Sequence, residues 1–160
     1  YLNDCDFHIV AIGSTMVEEF ILNNLIDGKL SKPTIIFWVE PFMASGQMLF
    51  IMPDDASKAL MTITDENYKY AVLQNVDSQK NKTYIVEGSC QTGFSPYSSA
   101  YMIQFLSSIF LDLKRHLTEG DLNSSIYTWI GNKDLLNNQG LLITPFAQAE
   151  NSFTLLKNNL

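Results

Sequence analysis

The sequence predicts an α/β fold: a single three-layer domain over residues 1–160, with a mainly parallel sheet of Rossmann-like topology. Three observations predict it. The apolar run Phe7–Ile12 stops at Gly13, an amphipathic pattern with helical spacing follows, and a β-branched and aromatic run, Thr34–Val39, comes next. Strand, helix and strand within about 35 residues make a βαβ unit, whose crossover forces the two strands parallel.

The first strand reads as buried on both faces because its apolar residues are nearly continuous. Thr15-Met16-Val17-Glu18 has the S/T-x-x-E pattern of a capping box, in which hydroxyl and carboxylate each satisfy an orphan amide. Val17, Phe20, Ile21 and Leu25 then recur at helical spacing, and Asp27-Gly28 stops the helix. Thr34–Val39 is too short for a helix and is ended by Glu40-Pro41.

Farther on, Gln47–Met52 reads as a strand, Pro53-Asp54-Asp55 as a turn, and Ala56–Met61 as a short helix. Tyr70–Leu73 and Thr83–Glu87 read as two more strands. Ser95-Pro96 opens the longest helix, which is closed by Gly120, with Met102, Leu106, Ile109, Phe110, Leu113 and Leu117 on its inward stripe. Ile126–Ile130 and Leu141–Thr144 read as strands, and Ala147–Leu160 as a last amphipathic helix with Phe153, Leu156 and Leu160 inward.

Ten basic against 17 acidic residues give a formal charge of −7, which repels a phosphate backbone and argues against nucleic acid as a partner. The one basic cluster, Lys114, Arg115 and His116, reads as a solvated helix end. No apolar run reaches the 18 or so residues of a membrane span, so a soluble chain is expected, with no membrane role. Cys5 and Cys90 are too few for a disulfide framework and point to a reducing, intracellular setting. Because it opens on Tyr1, the chain reads as a domain cut from a longer protein.

Gly13 ends strand one and opens helix one, where a dinucleotide fold places its glycine-rich turn. The G-x-G-x-x-G fingerprint is incomplete, since Thr15 and Glu18 stand at its second and third glycines, and Glu18 would repel a pyrophosphate. Glu40, after strand two, is where an acid would take a ribose hydroxyl.

His8–Gly13, the helix after it and Lys32–Phe37 resemble the opening of the ketopantoate reductase family. Leu73-Gln74-Asn75 is similar to that family's Leu-Gln-Asn-Gly segment, Tyr84–Gly93 to its following strand and turn, and Trp129-Ile130-Gly131 to its end strand. The resemblance implies a Rossmann domain that binds NADP, with Gly13, Glu40 and Asn75 at the cofactor. Val76 stands where the family has glycine, and its turn histidine and catalytic lysine have no counterpart, so the resemblance implies a degenerate member without reductase activity. Such degenerate relatives serve as scaffolds in fungal mitochondrial gene expression, and the resemblance implies the same use and compartment here.

Two further chemistries compete with ordinary structural roles. Gly88–Gly93 could form a nucleophile turn at Cys90, served by His8 or by His116 on its solvated face, but its second glycine is one residue too far for an elbow and a buried Cys is the simpler reading. Asp4, Asp6 and His8 share a strand face with Cys5 between them, a mixture that is not a structural zinc pattern.

Trp38, Phe42, Met43, Met48, Phe50 and Met52 crowd one loop region, and Tyr97 and Tyr101 lie near a helix start. Such residues make interfaces when exposed and cores when buried. The function expected is a non-catalytic scaffold or adaptor that binds a protein partner or its own copy within a larger assembly, with no cofactor and with Trp38, Phe42, Met43, Met48, Tyr97 and Tyr101 as interface candidates. The alternatives are the cofactor domain of an NADP-dependent reductase, and a longin or roadblock-type adaptor with an antiparallel five-stranded sheet.

Overall fold

The computed structural model describes residues 3–66, 68–79, 85–86, 93–94, 97–118 and 123–160. β1 (His8–Val10), α1 (Thr15–Ile26) and β2 (Thr34–Val39) form the anticipated crossover, with His8 opposite Thr34 and Val10 opposite Ile36 in parallel register. β2 then turns through Pro41–Met43 into β3 (Ser45–Ile51), which runs antiparallel to it with Phe37 opposite Met48. A short turn can join only antiparallel neighbours, and this connection decides the direction of the rest of the sheet.

α2 (Ala56–Ile63) follows, then β4 (Ile85–Val86) and β5 (Gly93–Phe94), which pair as a separate two-stranded ribbon. α3 (Ser99–Thr118) leads to β6 (Ser125–Ile130), α4 (Lys133–Asn138), α5 (Pro145–Ala149) and β7 (Leu155–Asn159). The main sheet has the order β1-β2-β3-β6-β7, and only the β1–β2 pairing is parallel. The expected mainly parallel sheet is therefore corrected to an open mixed one. β1 lies at an edge, whereas a doubly wound Rossmann sheet carries its first strand inside. One parallel pairing likewise separates it from an all-antiparallel adaptor sheet.

Strand alternation sorts the core into two faces. Ile36, Leu49, Ile51 and Ile126 meet Leu22 and Leu25 of α1 and Ala56 and Ala59 of α2 on one side. Ile35, Met48, Phe50, Tyr127 and Trp129 meet Phe105 and Ile109 of α3 on the other, so helices cover both faces of a single domain. All of β3 and all of β6 are buried. A third cluster, around Leu73, Ile130, Leu136 and Ile143, closes one end.

Four elements differ from the sequence reading. Tyr70–Leu73 and Leu141–Thr144 do meet, but through one bridge, Leu73 to Ile143, flanked by Thr144 N–H to Val72 O at 2.9 Å. The last helix shrinks to Pro145–Ala149, capped by the Thr144 hydroxyl on the Ala147 amide, and Leu155–Asn159 becomes an edge strand on β6. Two adjacent leucines fit either period, and the open β6 edge decides between them. On α3 Phe105, Ile109 and His116 are buried and Met102, Leu113 and Leu117 pack beside them as expected, whereas Leu106 and Phe110, read as inward, face solvent instead. Close approach fixes that rotation: a Cβ on Gly46 would lie 2.4 Å from the Phe105 ring.

Candidate functional site

β1 delivers the chain to Gly13, whose φ of +64° is a left-handed turn that a side chain would strain. Ser14, not Thr15, is the N-cap of α1 and makes no side-chain bond to the helix, so the expected capping box with Thr15 as its cap does not form. Glu18 turns inward: it is 5 % exposed, and its Oε1 has no hydrogen-bond partner. Burial raises the Glu18 carboxyl above its ordinary value, with the Ser14 backbone amide partly offsetting the shift.

Beside it lies a cavity of about 190 Å³ lined by Gly13, Thr15, Glu18, Trp38, Val39, Ile63 and Tyr68. The Trp38 and Tyr68 rings stand 5.9 Å apart at 58° and form an aromatic corner. Tyr68 donates its hydroxyl to Gln47 Oε1 at 3.1 Å, and desolvation together with the nearby Glu40 charge pushes its phenol well above the usual range.

Glu18 has a consequence for stability. Between its unfolded and its raised folded value the native chain holds a proton that the unfolded chain has released, so stability falls as pH rises through that window. Below the window both states are protonated and the cost is absent. Glu18→Gln is therefore expected to melt a few degrees above the parent at pH 8, with the gap closing towards pH 4. Melting curves at the two pH values check this, and a gap that is the same at both would refute it.

Glu40, the expected ribose acid, is occupied by the fold. Its carboxylate accepts the Val72 amide at 3.0 Å and the Leu73 amide at 3.2 Å, tying the segment after α2 to the end of β2. Burial raises this carboxyl too, against the lowering effect of its bonds to Ser45, Val72 and Leu73. Asn75, at φ +46°, lines a different and wider groove of about 920 Å³ with Gln74, Ser78, Thr144 and Phe146. Of the three cofactor candidates only Gly13 reaches the aromatic cavity; Asn75 lines the other groove, and Glu40 lines neither.

The interface candidates divide by burial. Met43 and Met48 are fully buried, and Phe42 and Tyr101 are partly buried, with Tyr101 accepting from Asn132 Nδ2 at 3.0 Å. Trp38 belongs to the cavity wall, and Tyr97 is exposed. The apolar surface that the sequence reading missed is the outer face of α3, where Ile103, Leu106, Phe110 and Leu111 are 65 %, 46 %, 58 % and 70 % exposed. Positions 103, 106 and 110 fall on one stripe, about a third of a turn round the helix from Phe105, Ile109 and His116. A second group, Ile9, Ile12, Met16 and Phe20, is exposed along the β1 edge and α1.

Cys90 lies outside the described residues. His116, read as solvated, is buried instead, stacked 4.0 Å from Phe50 and 2.8 Å from the Tyr127 hydroxyl. His8 pairs its Nδ1 with Thr34 Oγ1 at 3.3 Å. Among the described residues no three His, Cys, Asp or Glu side chains are grouped to hold a metal ion, and no helix is long and apolar enough to cross a membrane.

Compared with known proteins, the chain matches no family model and no curated protein.

Proposed function

We propose that the protein is a binding subunit rather than an enzyme, and that a protein partner or a second copy of this chain docks on the outer face of α3. The observation that carries this reading is the stripe Ile103, Leu106 and Phe110, with Leu111 beside it, on the solvent side of a helix whose opposite side already fills the core. A surface helix of a globular domain normally turns polar residues outward. Contiguous exposed apolar side chains mark surfaces that are covered in the working assembly, and large aliphatic and aromatic residues supply most of the energy at such contacts.

A photo-crosslinking residue at Ser107, between Ile103 and Phe110 on the exposed face, tests this in the cell that makes the protein. The expected result is a discrete adduct, with a second copy or with another protein, that disappears when Phe110→Glu is added. A crosslinker at Lys58, on a helix across the sheet, is the control. Adducts from Ser107 no different from those of Lys58 would end the reading.

A further inference from the structure

The sheet face under α3 is only partly covered, and the bare part lies beside the apolar flank of that helix. α3 runs along β3, with Phe105 close over Gly46 and His116 stacked on Phe50, and it shields β3 and β6. A helix about 10 Å across covers about two strands spaced about 4.8 Å apart, so β1 lies beyond its reach. Ile9 shows the result. It stands opposite Ile35 of the α3-side core, while its neighbour Val10 belongs to the other core, so Ile9 faces the α3 side and is 55 % exposed.

The two flanks of α3 differ. Tyr101 looks towards β6 and β7, where its ring lies 5.8 Å from Phe153 and its hydroxyl meets Asn132. The other flank, towards β2 and β1, carries Ile103, Leu106, Phe110, Leu113 and Leu117, in alternating steps of three and four residues. These are successive a and d positions of a heptad, the spacing of a seam between two helices, and both d positions are leucine.

Three points identify the occupant of this seam. The bare strand and the helix flank that would cover it belong to the same chain, as an interface between two identical copies requires. The seam carries no acid, and Asp112, round on the other side of α3, is paired with Arg115 at 3.4 Å, so the net charge of −7 does not set two seams against each other. At about 200 Å² for a large side chain, Ile9, Ile103, Leu106 and Phe110 expose about 450 Å² per copy, more than half of the roughly 800 Å² per partner in a stable interface.

We propose, resting on the reading of α3 as a docking face, that its occupant is a second copy of this chain. Each α3 lies over the other copy's β1, and the two helices share one layer between two sheets. Only a two-fold axis along the helices achieves this, which makes them parallel and in register. Leu106 then meets its twin, and Phe110 of each copy reaches Ile9 of the other.

Sedimentation equilibrium of the purified chain is expected to show a dimer of the 18.1 kDa subunit. Phe110→Glu and Ile9→Glu, each confirmed as folded by circular dichroism, are expected to weaken it about tenfold or more, because each places two charges in the interface. With Cys5 and Cys90 replaced by serine, Leu106→Cys is expected to link to its twin under mild oxidation, whereas Lys58→Cys, on α2 across the sheet, does not. A monomer at every concentration, a dimer that either glutamate leaves intact, or a Leu106→Cys that links no more readily than Lys58→Cys overturns the proposal. Docking on α3 survives a monomeric result if the Ser107 crosslinker captures a different protein, and it falls only if Ser107 and Lys58 give the same adducts.

Discussion

Gly131→Ala is expected to leave the protein insoluble, or to lower its melting temperature by about 10 °C, corresponding to a loss of about 3 kcal/mol or more. A Cβ at this position would lie 2.0 Å from the Met43 carbonyl oxygen and 3.0 Å from that of Ala44. Both obstacles are backbone. The Gly131 amide donates to Ala44 O at 2.8 Å, so the end of β6 is bonded to the turn that the new methyl would strike. That turn cannot withdraw cheaply, because Phe42 and Met43 already occupy φ values of +57° and +56° and Met43 is sealed in the core. Gly28→Ala is the control: open space surrounds its Cβ position, and only the strain of φ +70° remains, about 1 kcal/mol. Thermal unfolding of both variants decides the matter, and the argument fails if Gly131→Ala melts no lower than Gly28→Ala.

The second large effect is expected at Gln47, the polar centre of the sheet. Its amide nitrogen donates to Ser45 Oγ at 3.1 Å and to the Tyr70 carbonyl at 3.2 Å, while its oxygen accepts from Tyr68 at 3.1 Å and from Thr128 at 2.8 Å. These bonds use both donors and both lone pairs of a side chain that is wholly buried. Leucine has nearly the same volume, so Gln47→Leu opens no cavity and isolates the polar effect. It leaves the Tyr70 carbonyl without its donor and takes from the Thr128 and Tyr68 hydroxyls, which also adjoin each other, the acceptor they share, at about 1–3 kcal/mol for each group left unpaired where water cannot reach. A fall of about 4 kcal/mol, or about 10 °C in melting temperature, is expected. Thr128→Val should then cost far less in the Gln47→Leu background than alone, because its hydroxyl has already lost its acceptor. Additive losses in that double-mutant cycle would show that the network does not act as a unit.

Local pattern made the first third of the fold legible. Continuous apolar runs bounded by Gly13 and Glu40-Pro41 marked β1 and β2, and the spacing of Val17, Ile21 and Leu25 marked α1. Direction was not legible, because Thr34–Val39 and Gln47–Met52 read the same whether their strands run parallel or antiparallel. The length of the turn between them held that information. The rotation of α3 was hidden for a similar reason: Phe105 and Leu106 are both apolar, and the absent side chain of Gly46, far away in sequence, selects Phe105 for the core. Around the candidate site, Gly13 and Trp38 could be placed from their strand ends. Tyr68 and Ile63 could not, since they come from the end of α2 and the loop beyond it. Glu18 carried a signal, but the capping pattern explained it too readily, and burial of its carboxylate appears only in three dimensions.

The central position of β3 also bears on how the chain comes off the ribosome. One edge of β3 is met at once by β2, through a turn that a hairpin can close in microseconds. The other edge belongs to β6, and Phe50 must wait for Ser125. At about 5–20 residues per second, synthesis leaves the nascent chain for several seconds with a formed hairpin whose outer edge is unpaired and whose Met48 and Phe50 are uncovered. An open apolar edge is a template for the same edge of a neighbouring chain. During those seconds the Ser45–Ile51 edge is open to such pairing, and the arrival of β6 closes it.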